Sequence, residues 1–380
     1  MRALILNTST KTVAVETTPD PKPGPKEILV RVRAVALNHV DYMNTVKPLA
    51  TQDKRVVGSD FAGEVAQVGK DLDGIDDPRV KIGARVAGFL QGANSVNERP
   101  GAFAEYLVVD FDLTWLVPDG ISFERAASVS LCGVTAAQAV FYRLHLPSPF
   151  WESGVLDSQA GPITVFIYGA SSSVGFYAAQ LVKLAGKASG KEIRLIGAAS
   201  ASKHALLKEP PYSYDVLVDY RDPQWQETVR KAAGGDGVQY AIDAISQGDT
   251  VYNTDSVVQA GGKLAIFRAP AAGGFDMAKI KTRTVFGAVW EALGVDVQYH
   301  GGIVIPANEK ARASAAAFYK FLSVSAGPNQ AVLEPNPIRI MPGGLENIPI
   351  DGFALFGAGS KAYTDHRRPV SGEKIVFTVG

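Results

Sequence analysis

The chain has 380 residues, 46% of them hydrophobic, and its 38 basic residues balance its 38 acidic ones. This length predicts two domains with sizeable cores, and balanced charge without a basic patch or charged tail argues against nucleic acid and membrane surfaces as partners. A single cysteine, Cys132, excludes an internal disulfide framework and a multi-cysteine metal site; with no apolar run of about 20 residues and no signal-peptide-like start, a cytoplasmic protein is expected.

In chain order, residues 1 to about 125 read as β-rich. Ala3 to Leu6 and Thr12 to Glu16 are short strands, and Pro19 to Pro25 is a stiff connector that cannot be helical. Glu27 to Leu37 alternates in its middle like a half-buried strand, and Asn38-His-Val-Asp-Tyr42 opens a short helix or loop. Val57 to Gly69, Ile82 to Gly88 and Gly101 to Val109 are further strands with glycines at their bends, a pattern of closed β architecture. Ser122 is a candidate N-cap, and Leu131 to Leu144 is expected to be a connecting helix.

From Ile163 the pattern changes. Ile163 to Tyr168 is an apolar, β-branched and aromatic run, as in a parallel strand buried on both faces. The turn Gly169 to Gly175 is made of small residues, and Ala178, Ala179, Leu181, Val182 and Leu184 follow at helical spacing. This is the opening of a nucleotide-binding βαβ unit, in which turn and helix amides face a pyrophosphate and only small side chains let it approach. Ser171, Ser172 and Ser173 replace the usual central glycine, and their hydroxyls can donate to phosphate; ordinary close packing of helix on sheet is the alternative reading.

The second strand, within Lys191 to Ser200, ends where such sites meet the adenosine ribose. An NAD site wants a carboxylate there, yet the chain reads Ala199-Ser-Ala-Ser-Lys-His204. Ser200 and Lys203 suit a 2′-phosphate, with Tyr220 stacking on adenine or reaching that phosphate, so NADPH is predicted as cofactor. Lys203 as a solvated charge at a helix start stands beside that reading. Strands at Asp215 to Asp219, Val238 to Asp243 and Gly262 to Phe267 continue the doubly wound pattern, a helix follows from Glu309 to about Ser323, and Gly372 to Thr378 is a strand assigned to the first domain.

Asn38-His-Val-Asp41, Gly58-Ser-Asp-Phe-Ala-Gly-Glu-Val65, Gly83-Ala-Arg-Val86, Gly101-Ala-Phe-Ala-Glu-Tyr106, Gly133-Val-Thr-Ala-Ala137, the 169–175 turn and Gly372-Glu-Lys-Ile-Val376 together resemble the medium-chain dehydrogenase/reductase superfamily. The resemblance implies an α/β fold with a GroES-like β-rich catalytic domain, residues 1–135 and 310–380, around a Rossmann domain, residues 136–309. Zinc members carry a cysteine, a Gly-His-Glu and a four-cysteine loop where this chain has Asn38 to Asp41, Gly58-Ser-Asp60 and a cysteine-free Leu90 to Pro100, so no metal is expected.

Among zinc-free branches the serine-rich turn and Asp219-Tyr-Arg221 look most like the fungal enoyl reductases that act in trans with polyketide synthases. That likeness implies NADP contacts from Asp41 and Met43, Ser171, Ser172, Ser173 and Val174, Ser200 to Lys203, Tyr220, the strand end at Phe267, and Lys374. It implies a substrate channel from Val129 to Ala136, including Val129, Leu131 and Cys132, and around Val285 to Val289, including Phe286 and Val289. The substrate would be an enone, enoyl thioester or quinone, the partner a polyketide synthase, and the protein a monomer or homodimer.

Without a Lewis acid, hydride acceptance requires an alkene activated by a carbonyl, with donors aimed at the oxygen that gains charge. Candidates are Asn38 and Tyr42, and the α-carbon proton would come from Tyr42, Thr135 or water. Asn38 and Asp41 serve equally well as helix caps, Tyr42 as a nicotinamide-pocket wall, and Cys132 as a small buried filler. His39, His145, His204, His300 and His366 lack ligand spacing. A quinone oxidoreductase is the alternative function, and a non-catalytic NADPH-binding protein the third.

Overall fold

The alternation expected in Glu27 to Leu37 is confined to the middle of the strand that organises the first part of the molecule, and the reason lies in its neighbours. A computed structural model describes residues 1–49, 53–93, 99–151, 161–298, 304–357 and 368–380. In it β3 (Glu27–Ala36) exposes Arg31, leaves Arg33 half-buried against Glu64 at 2.7 Å, and buries Ala34, Val35 and Ala36 in succession. Its last turn is covered on both edges: β5 (Asp60–Val68) pairs along one side, and the C-terminal β18 (Lys374–Thr378) pairs on the other, with Val376 opposite Ala36. The strand expected near residues 372–378 thus joins the first-domain sheet.

That sheet runs β17 (Ile338–Ile340), β18, β3, β5, β6 (Arg85–Phe89), β8 (Thr114–Leu116), with β7 (Tyr106–Asp110) pairing the start of β3. A second sheet holds β1 (Arg2–Asn7) between β2 (Thr12–Thr17) and β4 (Arg55–Val56), and β15 (Val297–Gln298) pairs with β16 (Val304–Ile305). Helix α1 (His39–Val46) follows β3 directly, α2 (Phe123–Ala127) starts at its Ser122 cap, and α3 (Ser130–Ala137) begins beside Asp60. The single helix expected from Leu131 to Leu144 is instead α3 plus a wider turn, the Leu144 N–H reaching back five residues to Ala139 O at 2.9 Å.

The second part is a six-stranded parallel sheet, in the order β11 (Val216–Val218), β10 (Ile193–Ala198), β9 (Ile163–Tyr168), β12 (Val238–Asp243), β13 (Val258–Ile266), β14 (Arg283–Phe286). The chain leaves β9 toward one side and later returns to its other side, so the carboxyl end of β9 is the topological switch point where this architecture binds dinucleotides. The helices are α4 (Ser173–Ser189), α5 (His204–Lys208), α6 (Trp225–Ala232), α7 (Asp249–Asp255) and α8 (Pro270–Gly273). Phe166, Trp225, Val229, Leu264 and Ile266 form the core on one face.

By contacts the chain divides into Met1–Leu131 with Trp290–Gly380, and Cys132–Val289. Residues 290–309, expected in the dinucleotide-binding part, therefore fall in the first unit, and 132–135 in the second. The Trp290 ring packs on Phe89 at 5.9 Å, and the Asn308 amide donates to Glu291 at 2.9 Å while its oxygen caps α9 (Glu309–Val324) through Ala311 N–H. No helix among the described residues is long and apolar enough to cross a membrane.

Candidate functional site

The cofactor-type turn in the second unit is shorter than the sequence implied, because its third serine is already helical. Ser172 is the N-cap of α4, its Oγ accepting the Gly175 N–H at 3.1 Å; used as an acceptor, that hydroxyl still has its own proton to donate. Gly169 has a φ of 74°, which favours glycine, and lets the chain double back from β9. At Gly175 an added Cβ would lie 2.3 Å from Gly169 O, so helix start and strand end touch backbone to backbone. Ser171, Ser172, Ser173 and Val174 are all half-buried around the first amides of a 17-residue helix. This is the cradle a pyrophosphate requires, and the residues present fit one.

At the end of β10 the side chains expected to meet the ribose do come together. Ser200 Oγ lies 3.3 Å from the exposed Tyr220 hydroxyl, and half-buried Lys203 closes the turn Ala201–Lys203. Sequence reasoning gave Arg221 no role of its own, yet its guanidinium lies 4.5 Å from the centre of the Tyr220 ring. The Asp219 carboxylate accepts the Arg221 and Ala201 N–H groups at 2.9 and 3.1 Å; those hydrogen bonds, with the Arg221 charge, hold it below the usual carboxylate range.

Deeper in the second unit, Asp243 accepts from Ile245 N, Ser246 N and Thr250 Oγ1 at 2.7 to 2.9 Å, and burial raises its pKa. The Ser246 hydroxyl donates to the Asp243 carbonyl and accepts the Phe267 N–H at 2.9 Å. The N–H of Phe267, a residue expected at the cofactor, is thus occupied inside the protein. The readable signal for this lock was an aspartate closing a buried strand with a serine three residues on.

In the first unit Asn38, Asp41, Lys374 and Leu131 converge, joined by Ser59 and Asp60, which sequence reasoning had not singled out as site residues. Asp60 is 0% exposed; its Oδ1 accepts Leu131 N–H at 2.7 Å, and its Oδ2 accepts Asn38 Nδ2 at 2.9 Å and Lys374 Nζ at 3.1 Å. Lys374, 3% exposed, also donates to Asn38 Oδ1. Expected among the cofactor contacts, it reaches a phosphate only by leaving these partners. Asn38 Nδ2 is further drawn to Ser59 Oγ at 3.2 Å, so the carboxamide considered as a donor to substrate is committed inside the protein.

The helix-cap reading of Asp41 is what the geometry displays: its Oδ2 accepts the Asn38 N–H at 2.7 Å, and its Oδ1 accepts the Ser59 hydroxyl at 2.6 Å. Burial pushes its carboxyl up to about 7, against those two hydrogen bonds. The next residue, half-buried Tyr42, packs on Phe353 at 6.1 Å and against Gly357, where an added Cβ would sit 2.9 Å from its hydroxyl. Met43 is half-buried beside it.

Of the substrate-channel candidates, Val129 and Leu131 are buried in the first unit, and Cys132 is buried at the start of the second, as a filler would be. Thr135 is half-buried on α3. Phe286 ends the edge strand β14 and leans on the core of the second unit; half-buried Val289 lies three residues on. Gln91, not foreseen, is buried after β6 with neither end of its amide hydrogen-bonded among the described residues. His300 and His366 lie outside the described residues.

Residues 24–119 match the alcohol dehydrogenase GroES-like domain. The chain is 31% identical to the enoyl reductase cheB of Chaetomium globosum, with 99% of this chain and 93% of that protein covered. It is also 31% identical to a trans-enoyl reductase of Alternaria alternata, covering 100% and 98%. Among solved structures, the CurK enoyl reductase aligns with a TM-score of 0.68 at 16% identity, over 99% and 98% of the two chains. The quinone oxidoreductase from Coxiella burnetii aligns at 0.66 and 21%, over 100% and 99%. At such identities these structures share the fold.

Proposed function

The chain belongs to the trans-enoyl reductase group of the medium-chain dehydrogenase/reductase superfamily, and from that premise we propose that it reduces the conjugated C=C bond of an α,β-unsaturated carbonyl using NADPH, in partnership with a polyketide synthase. The full-length correspondence with enoyl reductases carries the reaction class. When bound, the reduced nicotinamide supplies hydride to the β-carbon; everything else falls to side chains of this chain. Turnover against a panel of enones, enoyl thioesters and quinones tests the reading: enoyl thioesters should be preferred, and quinones reduced faster than any alkene would overturn it.

Ser172 and the first amides of α4 would hold the pyrophosphate, and Ser200, Lys203 and Tyr220 the 2′-phosphate, with Arg221 stacked behind. Two features support NADPH over NADH: cationic and hydroxyl groups gather at the end of β10, and Asp219 faces the backbone. Lys203→Ala should raise the Kd for NADPH roughly 10- to 100-fold and leave that for NADH nearly unchanged, as measured by titration calorimetry. Equal losses for both cofactors would remove the 2′-phosphate from the argument.

A zinc-free reaction is supported by the committed roles of Asn38, Asp41 and Asp60, whose side chains are bonded to one another, to Ser59, to Lys374 and to backbone N–H groups. With the Asn38 amide engaged, Tyr42 is the side-chain donor for the carbonyl oxygen. Tyr42→Phe should then lower kcat about 100-fold with little change in NADPH affinity. Unchanged turnover would assign the tyrosine to packing alone.

A further inference from the structure

The cluster around Asn38 buries two carboxylates, Asp41 and Asp60, with one ammonium, Lys374. Lys374 contacts Asp60 and Asn38, whereas the hydrogen bonds to Asp41 come from two neutral donors, the Ser59 hydroxyl and the Asn38 N–H, and the Lys374 charge offsets its burial least of the acting causes. An ionised carboxylate in that place leaves one uncompensated charge in a dry site, which is costly. We propose that Asp41 is a positioning residue that works in its protonated form, its carboxyl O–H donating a hydrogen bond to Ser59 Oγ, so that the cluster holding the Asn38–Tyr42 segment is electrically neutral.

The Asp41–Ser59 separation already suits this donor, and the Ser59 hydroxyl proton it displaces must turn from Asp41 to another acceptor. At 2.6 Å the Asp41–Ser59 contact serves either direction: the hydroxyl donates to a carboxylate, or accepts from a carboxylic acid. The Oδ2 cap on Asn38 N–H survives in both states. The cluster ties together four segments, α1, the approach to β5, the first turn of α3 through Leu131 N–H, and β18. A net charge appearing at Asp41 is therefore felt by the helix that presents Tyr42 and Met43.

The ionisable groups facing the cluster are Asp60 from β5, Lys374 from β18 and, on the far side of Asp60, Tyr319 from α9 with the Arg312 charge. The sign follows from burial raising the Asp41 carboxyl from 3.8 to about 7. Folded protein keeps a proton that the unfolded chain has released, so stability is highest below the lower value and declines as pH rises to the upper one. Close to neutrality the working form gives way to the charged one.

The test compares wild type, Asp41→Asn and Ser59→Ala in two readouts across about pH 6 to 8.5: urea unfolding, and NADPH-dependent enone turnover normalised to each protein's own value at pH 6. Only the second readout rests on the enoyl-reductase reading, so a chain that turns over no alkene still reports through the first. Wild-type turnover should fall with a midpoint near 7, wild-type stability should decline up to about that pH and level off above it, and Asp41→Asn, an isostere of the protonated acid, should show neither break. Ser59→Ala removes the bond in both states, and because the bond to the carboxylate is the stronger of the two it should move the break to higher pH. Exposed His39, stacked edge-on against Tyr42 at 6.4 Å, is untouched by that substitution, so a break caused by His39 would stay in place. A break that persists in Asp41→Asn, or that Ser59→Ala leaves fixed or lowers, overturns the proposal. If Asp41→Asn does not fold, the Ser59→Ala shift decides.

Discussion

Lys374→Met is expected to destabilise the first unit by about 3–5 kcal/mol, the cost of leaving a buried carboxylate without its cation, and to lower its unfolding midpoint by roughly 10 °C. Asp60 is 0% exposed, so it has no water to turn to once the ammonium at 3.1 Å is gone. Methionine keeps most of the stem's packing, so the loss reports charge rather than volume. Adding Asp60→Asn should restore much of the loss, because the amide oxygen can still accept from Leu131 N–H and no charge remains. Calorimetry of the four proteins closes the double-mutant cycle. A Lys374→Met protein within about 1 kcal/mol of wild type would mean that Asp60 is not ionised in the fold.

Gly175→Ala should weaken NADPH binding by about 100-fold or more, the loss of roughly two charge-assisted amide contacts to phosphate. The new methyl would sit 2.3 Å from Gly169 O and 2.9 Å from Ala170 backbone atoms, neither of which is a side chain that can swing aside. The start of α4 must therefore lift off the end of β9, carrying its amides away from the pyrophosphate position. Gly186→Ala on the same helix is the control, since its methyl meets nothing closer than 3.3 Å and should leave affinity unchanged. Fluorescence titration with NADPH separates the two, and equal affinities would show that the turn does not carry the cofactor.

The parallel sheet was legible because a strand buried on both faces must be apolar throughout, and Ile163–Tyr168 and Ile193–Ala198 are nearly so. β14 was not, since an edge strand reading Arg-Thr-Val-Phe carries too few apolar residues to stand out. In the first unit, the alternation of β3 and the Ser122 cap were local signals and appear where expected. The Asp41, Asp60 and Lys374 cluster was beyond reach. Lys374 lies 336 residues from Asn38, and only the pairing of β18 with β3 brings them together. A lysine in a Gly-Glu-Lys-Ile run carries no mark of being buried. Ser172 was visible as part of the turn but not as a cap, because its role depends on where the helix begins, and that is set by the contact of Gly175 with Gly169.

The seat of β18 also dictates an order of events during synthesis. Its position between β17 and β3 stays vacant until residues 374–378 have left the ribosome, whereas all six strands of the parallel sheet have emerged once Phe286 is free. Until then β3 presents an unpaired edge at Ala34–Ala36 and Asp60 waits without its cation, so the nascent chain passes through a stage in which one half is ready and the other is open to chaperones.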